Sequence, residues 1–417
     1  MRHLEFLPRA GLAGALLAAG AVVAQPAGLA TDLPPVEHVT AAIEQHPSVA
    51  GARAGINLEE ANRRRLNAGP HELNVRLGAQ QRHDATAGRN MGEWDVMVER
   101  ALRLPGKGVL DAQLGEQGVD LAKLGVGDAR HEAGRSLLRL WFTWARAATQ
   151  LRLWRDQRDL LKRQAEVTAR RNQLGDAARQ EKLLAEAALA QAEAALLQAQ
   201  TRAEVSASEL TRSFPQIRLP ERPPAALPQP VDKPSYYWEA RIARHNHELA
   251  LARGEVERRR TQAERARAER SADPTLGVRV SSERAGAERV VGLVLAVPIG
   301  GALRAAGQEA AAAQIDVAAQ RAAVIERRLA AEGAATYVAA TRAYEAWRQT
   351  RAAAEAMTRS AELTARAHQL GEGSLGEVLV AQRLAIDARL AASSVQFEAV
   401  EARYRLLLDA HELWDLD

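Results

Sequence analysis

The sequence predicts a mainly helical chain, built twice over, in which two pairs of amphipathic β-segments interrupt helices too long for a compact globule. Three observations lead there. Aromatic residues make up only 4% of 417 residues, although 47% are hydrophobic. A globular core relies on Phe, Tyr and Trp for much of its buried area, whereas the Ala, Leu, Arg, Glu and Gln that dominate here build long helices and bundles. Short motifs recur in one order at offsets of about 195–205 residues, as after an old duplication. Period-two alternation, the mark of a strand with one apolar and one wet face, appears twice in each copy.

Composition also excludes. With no cysteine, the chain has no disulfide scaffold, zinc finger, thiol nucleophile or lipidated N-terminal cysteine. A net charge of +4, from 56 Lys and Arg against 52 Asp and Glu, is too small and too evenly mixed for a nucleic-acid partner. Arg2, His3 and Arg9 precede an apolar run from Leu12 to Val23, and Val22-Val23-Ala24 offers small residues for cleavage. Residues 1–24 therefore read as a secretory signal peptide, the alternative being an uncleaved anchor helix. No later segment has the unbroken apolar length of a membrane helix, so an exported chain seated in a membrane must enter it as strands.

The duplication is carried by paired motifs. Gln173-Leu174-Gly175-Asp176 recurs as Gln369-Leu370-Gly371-Glu372, and Arg103-Leu104-Pro105-Gly106 has a looser echo in Ala296-Val297-Pro298-Ile299. Arg63-Arg64-Arg65 matches Arg258-Arg259-Arg260, and Leu73 through Leu77 match Leu276 through Val280. The first repeat spans 36–213 and the second 235–413. Between them, 214–234 holds seven prolines in an extended connector.

Each repeat reads helix, two strands, long helix, turn, helix. In the first, Val36 to Ala68 is rich in helix formers and ends at Gly69-Pro70. Leu73, Val75 and Leu77 then alternate with polar or small residues, giving a strand at about 73–83. After a polar loop from Asp84 to Gly92, Trp94, Val96 and Val98 alternate in a strand at about 92–104. Pro105 suits the first turn of a helix running to about Asn172, and helix formers return after Gly175 through Ser213. In the second, Ser235 to Arg270 is helical in character. Strands follow at about 275–284 and 288–298, with Leu276, Val278 and Val280 and then Val291, Leu293, Leu295 and Val297 on the apolar face. Pro298-Ile299-Gly300-Gly301 breaks the pattern, a helix runs towards His368, and after the turn at Gly371 to Gly373 a last helix reaches about His411.

A helix of about 65 residues extends on the order of 100 Å, and its two shorter companions laid end to end match it. The result is a rod with both strands at one end, whose apolar stripe must pack on other rods. Four strands are too few to close a barrel, since small membrane barrels need eight. Open strand edges are an aggregation hazard unless other copies complete the sheet; two chains would supply eight strands and three would supply twelve. If the apolar faces meet lipid, Arg76, Gln80, Asp95, Glu99, Arg279 and Ser281 face the barrel lumen.

This pattern resembles the TolC-like outer-membrane efflux family over nearly all of the mature chain. Gln45 through Ala54 is similar to the family's usual beginning, as is the helix-ending Ala68-Gly69-Pro70. The run Leu370-Gly371-Glu372-Gly373-Ser374-Leu375-Gly376-Glu377-Val378-Leu379-Val380-Ala381-Gln382 resembles its periplasmic turn. Gly92-Glu93-Trp94 through Leu104-Pro105-Gly106-Lys107 is similar to the branch serving cobalt–zinc–cadmium type metal pumps. The resemblance implies a fold that is mainly α with a membrane β-barrel: a homotrimer closing a twelve-stranded β-barrel in outer-membrane lipid, on a long α-helical barrel crossing the periplasm. It further implies a periplasmic adaptor protein and an inner-membrane efflux pump as partners, passive conduction of substrates, metal cations among them, and no cofactor.

On that resemblance, Gly175, Asp176, Gly371, Glu372 and Gly373 form tips that meet the adaptor, though a plain helix–helix turn would look alike. Glu377, with its counterpart Glu181, stands where the family places an acidic residue near the periplasmic gate; rings of such residues favour cations. Where the family's pattern has a second acid one turn later, Val380 stands instead. The competing reading of Glu377 is a helix-start glutamate held by the helix dipole. In the arginine triplets, successive residues point about 100° apart, so they read as a solvated face with one member paired to a neighbouring helix. His245 and His247 are two apart, a poor spacing for one helix face, and read as surface histidines. No nucleophile–base set, metal triad or phosphate loop suggests an enzyme. The alternative to a duct is a periplasmic coiled-coil scaffold or adaptor without a pore.

Overall fold

A computed structural model describes residues 32–86, 88–414 and 416; the expected signal peptide, 1–24, lies outside them. The first repeat holds α1 (Val36–Glu44), α2 (Pro47–Ala68), β1 (Asn74–Asp84), β2 (Arg89–Ala101), α3 (Pro105–Gln173) and α4 (Arg179–Ser213). The second holds α5 (Ser235–His245), α6 (His247–Ala268), β3 (Thr275–Glu283), β4 (Glu288–Ala296), α7 (Ala302–Gln369) and α8 (Leu375–Asp409). Corresponding helices nearly match in length: 22 residues in α2 and α6, 69 and 68 in α3 and α7, 35 in α4 and α8.

Several boundaries differ from the sequence reading. The helices expected over 36–68 and 235–270 are each broken in two. His46 precedes a proline, a position disfavoured in α conformation; its backbone is extended and its ring accepts from the Ser48 amide at 3.3 Å. Asn246 is likewise extended and accepts from the Leu249 amide at 2.8 Å, so it caps a new helix rather than continuing the old one. The second strand sits three residues earlier than 92–104. Arg89 and Asn90 pair with Asp84 and His83, which shortens the polar loop to a tight turn. At its far end Leu102 leaves the ladder and donates to the Pro274 carbonyl at 2.7 Å. The last strand ends at Ala296, since Pro298 has no N–H to offer.

The helices form one layer. Beside the sheet, α3 lies between α2 and α6, and α7 packs on α6; at the opposite end α3 lies between α4 and α8, and α7 packs on α8. Buried residues recur every seven positions, all small on α4, as Ala185, Ala192, Ala199 and Ser206, and small but for one tryptophan on α7, as Gly333, Ala340, Trp347, Ala354 and Ala361. At that spacing two helices keep the same faces together over many turns.

The scarce aromatics gather at mid-height. There α1, the middle of α3, the ends of α4 and α8 and the start of the connector share a core of Trp141, Phe142, Trp144, Phe214, Ile217, Phe397, Tyr404 and Trp414 with aliphatic neighbours. Phe142 stacks on Tyr404 at 5.7 Å. A large ring in so closed a site is worth about 3–5 kcal/mol on truncation. Phe142→Ala should therefore lower the urea midpoint of the purified protein and expose the middle of α3 to limited proteolysis.

Candidate functional site

Three places in the rod carry features that helix packing alone does not explain: the sheet, the junction beneath it, and the helical tips at the far end.

The sheet has the order β1-β2-β3-β4, all antiparallel, and the β2–β3 pairing joins the two repeats. Its register aligns Val75, Val98, Val278 and Leu293 in one row and Leu77, Val96, Val280 and Val291 in the next. Directly opposed residues share a face, so these rows make a continuous apolar surface. Leu77 is 74% exposed and Leu293 89%, so none of the described residues covers it. Among the described residues the outer edges of β1 and β4 pair with no strand.

The opposite face carries Arg76, Gln80, Asp95, Glu99, Arg279 and Ser281, all six of the positions expected to face a lumen. Arg76 donates to Glu99 at 3.0 Å, Gln80 to Glu93 at 2.8 Å, and Arg279 lies 3.7 Å from Asp95. Gly78 leaves room for the Asp95 carboxylate, since a Cβ there would sit 2.3 Å from Oδ1. Glu93 escaped the sequence reading although it shares parity with Asp95 and Glu99. Its buried carboxylate also pairs with Arg82 at 2.7 Å and accepts from the Arg284 amide, tying the two hairpins together near the outer turns.

Beneath the sheet lies a buried charge network. Lys107, only 1% exposed, ion-pairs with Asp273 at 2.9 Å and Glu269 at 3.3 Å. Asp273 also takes His71 at 2.8 Å and the Leu104 amide at 3.1 Å. Asp111 accepts from Arg103 at 3.1 Å and Arg265 at 2.7 Å, while Arg103 donates to the Leu66 and Asn67 carbonyls that end α2. Arg304 ties the start of α7 to Glu269. Every strand–helix crossing of both repeats is thus held by charge. From the arginine triplets, Arg63 reaches Glu116 on α3 at 3.1 Å and Arg258 reaches Glu59 on α2 at 3.8 Å, whereas Arg260 pairs with Glu257 of its own helix.

At the far end the two turns share one backbone solution. Gly175 and Gly371 adopt φ +87° and +89°, and the amides of Asp176 and Glu372 close back onto Arg171 and Ala367 carbonyls at 2.8 and 2.9 Å. This is the Schellman ending that positive φ permits. Leu174 and Leu370 are exposed at the tips. Past the glycine the two turns diverge. Gly373 is also at positive φ, and Ser374 opens α8 with a reciprocal cap: the Glu377 amide donates to Ser374 Oγ at 3.3 Å and the Ser374 amide to Glu377 Oε2 at 2.9 Å. Glu181, at the same third position of α4, comes after Ala178, which offers no side-chain cap. Glu377 therefore has a local helix-starting partner that Glu181 lacks. The histidines also differ from the sequence reading: His245 and His247 come together with His131 and His411 at mid-height.

Burial pushes the Asp273 carboxyl up, but hydrogen bonds from His71, Lys107 and the Leu104 amide outweigh it and hold it at about 2. A depressed carboxyl stabilises the fold above its ordinary range and loses that contribution, about 2 kcal/mol, as pH falls towards 2. Asp273→Asn should leave the buried Lys107 with Glu269 as its remaining carboxylate partner and cost about 2 kcal/mol at neutral pH, the contribution of the depressed carboxyl. Thermal unfolding in detergent, followed by helical circular dichroism, should show a gap from wild type that is constant above about pH 5 and narrows as pH falls towards 2.

No protein-family model matches the chain, and no curated protein does. Solved structures do match. The CmeC outer-membrane channel of Campylobacter jejuni is 13% identical, with a TM-score of 0.74, covering 91% of this chain and 86% of that one. The outer-membrane protein VceC of Vibrio cholerae is 14% identical at a TM-score of 0.74, covering 92% and 100%. The MtrE outer-membrane channel of Neisseria gonorrhoeae, solved in its open state, is 17% identical at 0.68, covering 91% and 90%. Over nine-tenths of its length, then, this chain has the TolC-like fold of outer-membrane channels.

Proposed function

We propose that three copies of this chain form an outer-membrane export channel, conducting solutes passively from a periplasmic adaptor and an inner-membrane pump to the exterior. The observation that carries this reading is the sheet: a continuous apolar face and two open edges on four strands that cannot close.

The duplication indicates how copies would join. Within the chain, β2 of the first repeat pairs with β3 of the second, and the flank of α3 takes α6 above and α8 below. The second-repeat counterparts, β4 and α7, have no such neighbours among the described residues. A following subunit would supply β1 to β4, and α2 and α4 to α7. Contacts between chains would then repeat contacts within one, and twelve strands would close around the polar face with Arg76, Gln80, Asp95, Glu99, Arg279 and Ser281 inside. The tips at Gly175, Asp176, Gly371, Glu372 and Gly373 would meet the adaptor. Glu181 and Glu377 would ring the inner mouth, where negative charge favours cations, and the sequence resemblance to metal-pump partners adds metal cations to the solutes worth testing. A pore-free periplasmic scaffold would leave the Val278–Leu293 surface in water, which is costly for so large an apolar patch.

A planar bilayer separates these readings. Wild type should conduct. Leu293→Arg, on the apolar face, carries a penalty of about 2–4 kcal/mol in mid-membrane and should cut the yield of inserted channels. Arg279→Glu, on the other face of the neighbouring strand, should insert normally and raise cation preference. Glu377→Lys should change conductance; an unaltered trace removes Glu377 from the gate. Insertion of Leu293→Arg at wild-type yield would contradict the channel.

A further inference from the structure

The two repeats make the same packing twice, so equivalent positions can be read across from one to the other. Helix α6 begins 200 residues after α2, and both are 22 residues long. The tip glycine Gly371 stands 196 residues after Gly175, which aligns α7 with α3. Packing agrees with both offsets. Glu59 of α2 lies against Gly118 of α3, where a Cβ would come 2.4 Å from its Oε2, and their counterparts Arg259 and Gln314 are hydrogen bonded at 3.0 Å.

The α3–α6 contact, which joins the repeats inside the chain, is mostly polar. From the sheet end it pairs Lys107 with Glu269, Asp111 with Arg265 and Gln117 with Thr261, before Leu121 closes on Gly254. The equivalent positions of α7 and α2 lose nearly all of that charge. Lys107 and Glu269 become Leu303 and Gly69, Gln117 and Thr261 become Ala313 and Ala61, and Leu121 and Gly254 become Val317 and Ala54. Arg258, which reaches Glu59 at 3.8 Å, becomes Leu58. The one ion kept is Arg65, equivalent to Arg265; opposite it Asp111 becomes Gly307, which leaves an arginine stem room to run out to water.

Within the chain these positions lie open. Leu303, Ala313 and Val317 on α7 and Ala54, Leu58 and Ala61 on α2 are all exposed; Leu303 is 87% exposed and Leu58 61%. Along α7 the exposed apolar line repeats every seven residues, as Leu303, Ala310, Val317, Val324 and Ala331. At 100° per residue it lies across the helix from Ala319, Ala322 and Glu326, which line the contact with α6. One flank of the rod thus carries knobs and the other small residues. Such a head-to-tail match is what a ring of copies needs.

Resting on the channel reading above, we propose that neighbouring copies are sealed, between the sheet and mid-height, by the α3–α6 contact with its charge removed: Leu303, Ala313 and Val317 of one copy's α7 seat on Gly69, Ala61 and Ala54 of the next copy's α2. The difference in chemistry sorts the two seams. Exchanging them would bury Lys107 opposite Gly69 and Gln117 opposite Ala61, and would set Glu269 against Leu303 and Thr261 against Ala313. A buried charge or polar group without its partner is strongly disfavoured, so the charged seam stays inside the chain, the apolar one falls between chains, and first and second repeats alternate around the ring.

The chain has no cysteine, so introduced thiols read this register directly. Ala54→Cys/Val317→Cys corresponds to the place where a Cβ on Gly254 would come 2.6 Å from Leu121. A short bis-methanethiosulfonate, added to the purified full-length variant in detergent, should shift it on a non-reducing gel to the size of three linked chains, and dithiothreitol should reverse the shift. Each single variant should stay at one chain. So should Ala54→Cys/Leu303→Cys, whose second thiol lies about 20 Å along α7 from Val317. Ala61→Cys/Ala313→Cys should link as the first pair does, which keeps the test available if that pair assembles poorly. Native mass of the same variants before cross-linking separates the two claims. A three-chain particle in which neither expected pair links, or in which Ala54→Cys/Leu303→Cys links equally well, overturns the seam and leaves the channel standing; a single chain overturns both.

Discussion

The whole molecule answers to a sheet that its own chain cannot complete. Among the described residues, four strands give one face of Val75, Leu77, Val278, Val280, Val291 and Leu293 with nothing over it, and two edges whose amides and carbonyls have no ladder partner. In water such a surface aggregates. In hydrocarbon each unpaired backbone group costs several kcal/mol. Closure against further copies, as proposed above, would remove both penalties together.

Duplication makes that closure inexpensive in design, because a chain holding two like units already contains the contact it must repeat. The β2–β3 ladder, the α3–α6 packing and the Lys107–Asp273 crossing all join one repeat to the other. The charges at that crossing also fix the direction in which rods leave strands: Arg103 fastens the end of α2, Arg265 the end of α6, and Arg304 the start of α7. Where the repeats diverge they do so at hinges, through the Ser374–Glu377 cap at one tip and the imidazole stack at one belt joint.

Features governed by neighbours in sequence were legible; those made by distant neighbours were not. Alternation at Leu73–Leu77 and Leu276–Val280 marks the faces, and glycine at 175 and 371 marks the reversals, because each depends on one residue's backbone or on a period of two. The breaks at His46 and Asn246 also had local signals, a following proline and a capping side chain, yet the helix-forming residues on both sides masked them. Arg89 and Asn90 look like loop residues and are strand only because Asp84 and His83 stand opposite. Glu93 becomes a hub through Arg82 and Arg284, and Ser374 becomes a cap only once α8 begins where it does. The Lys107–Asp273 pair and the approach of His131 to His411 span far more sequence than any periodicity can report.

Native mass spectrometry of the purified protein in detergent tests the central claim most directly, since an incomplete sheet demands partners. The account predicts a particle of three chains, each no heavier than the 45.2 kDa of the full sequence, that requires detergent to stay dispersed. A monodisperse single chain, stable in plain buffer, would contradict it.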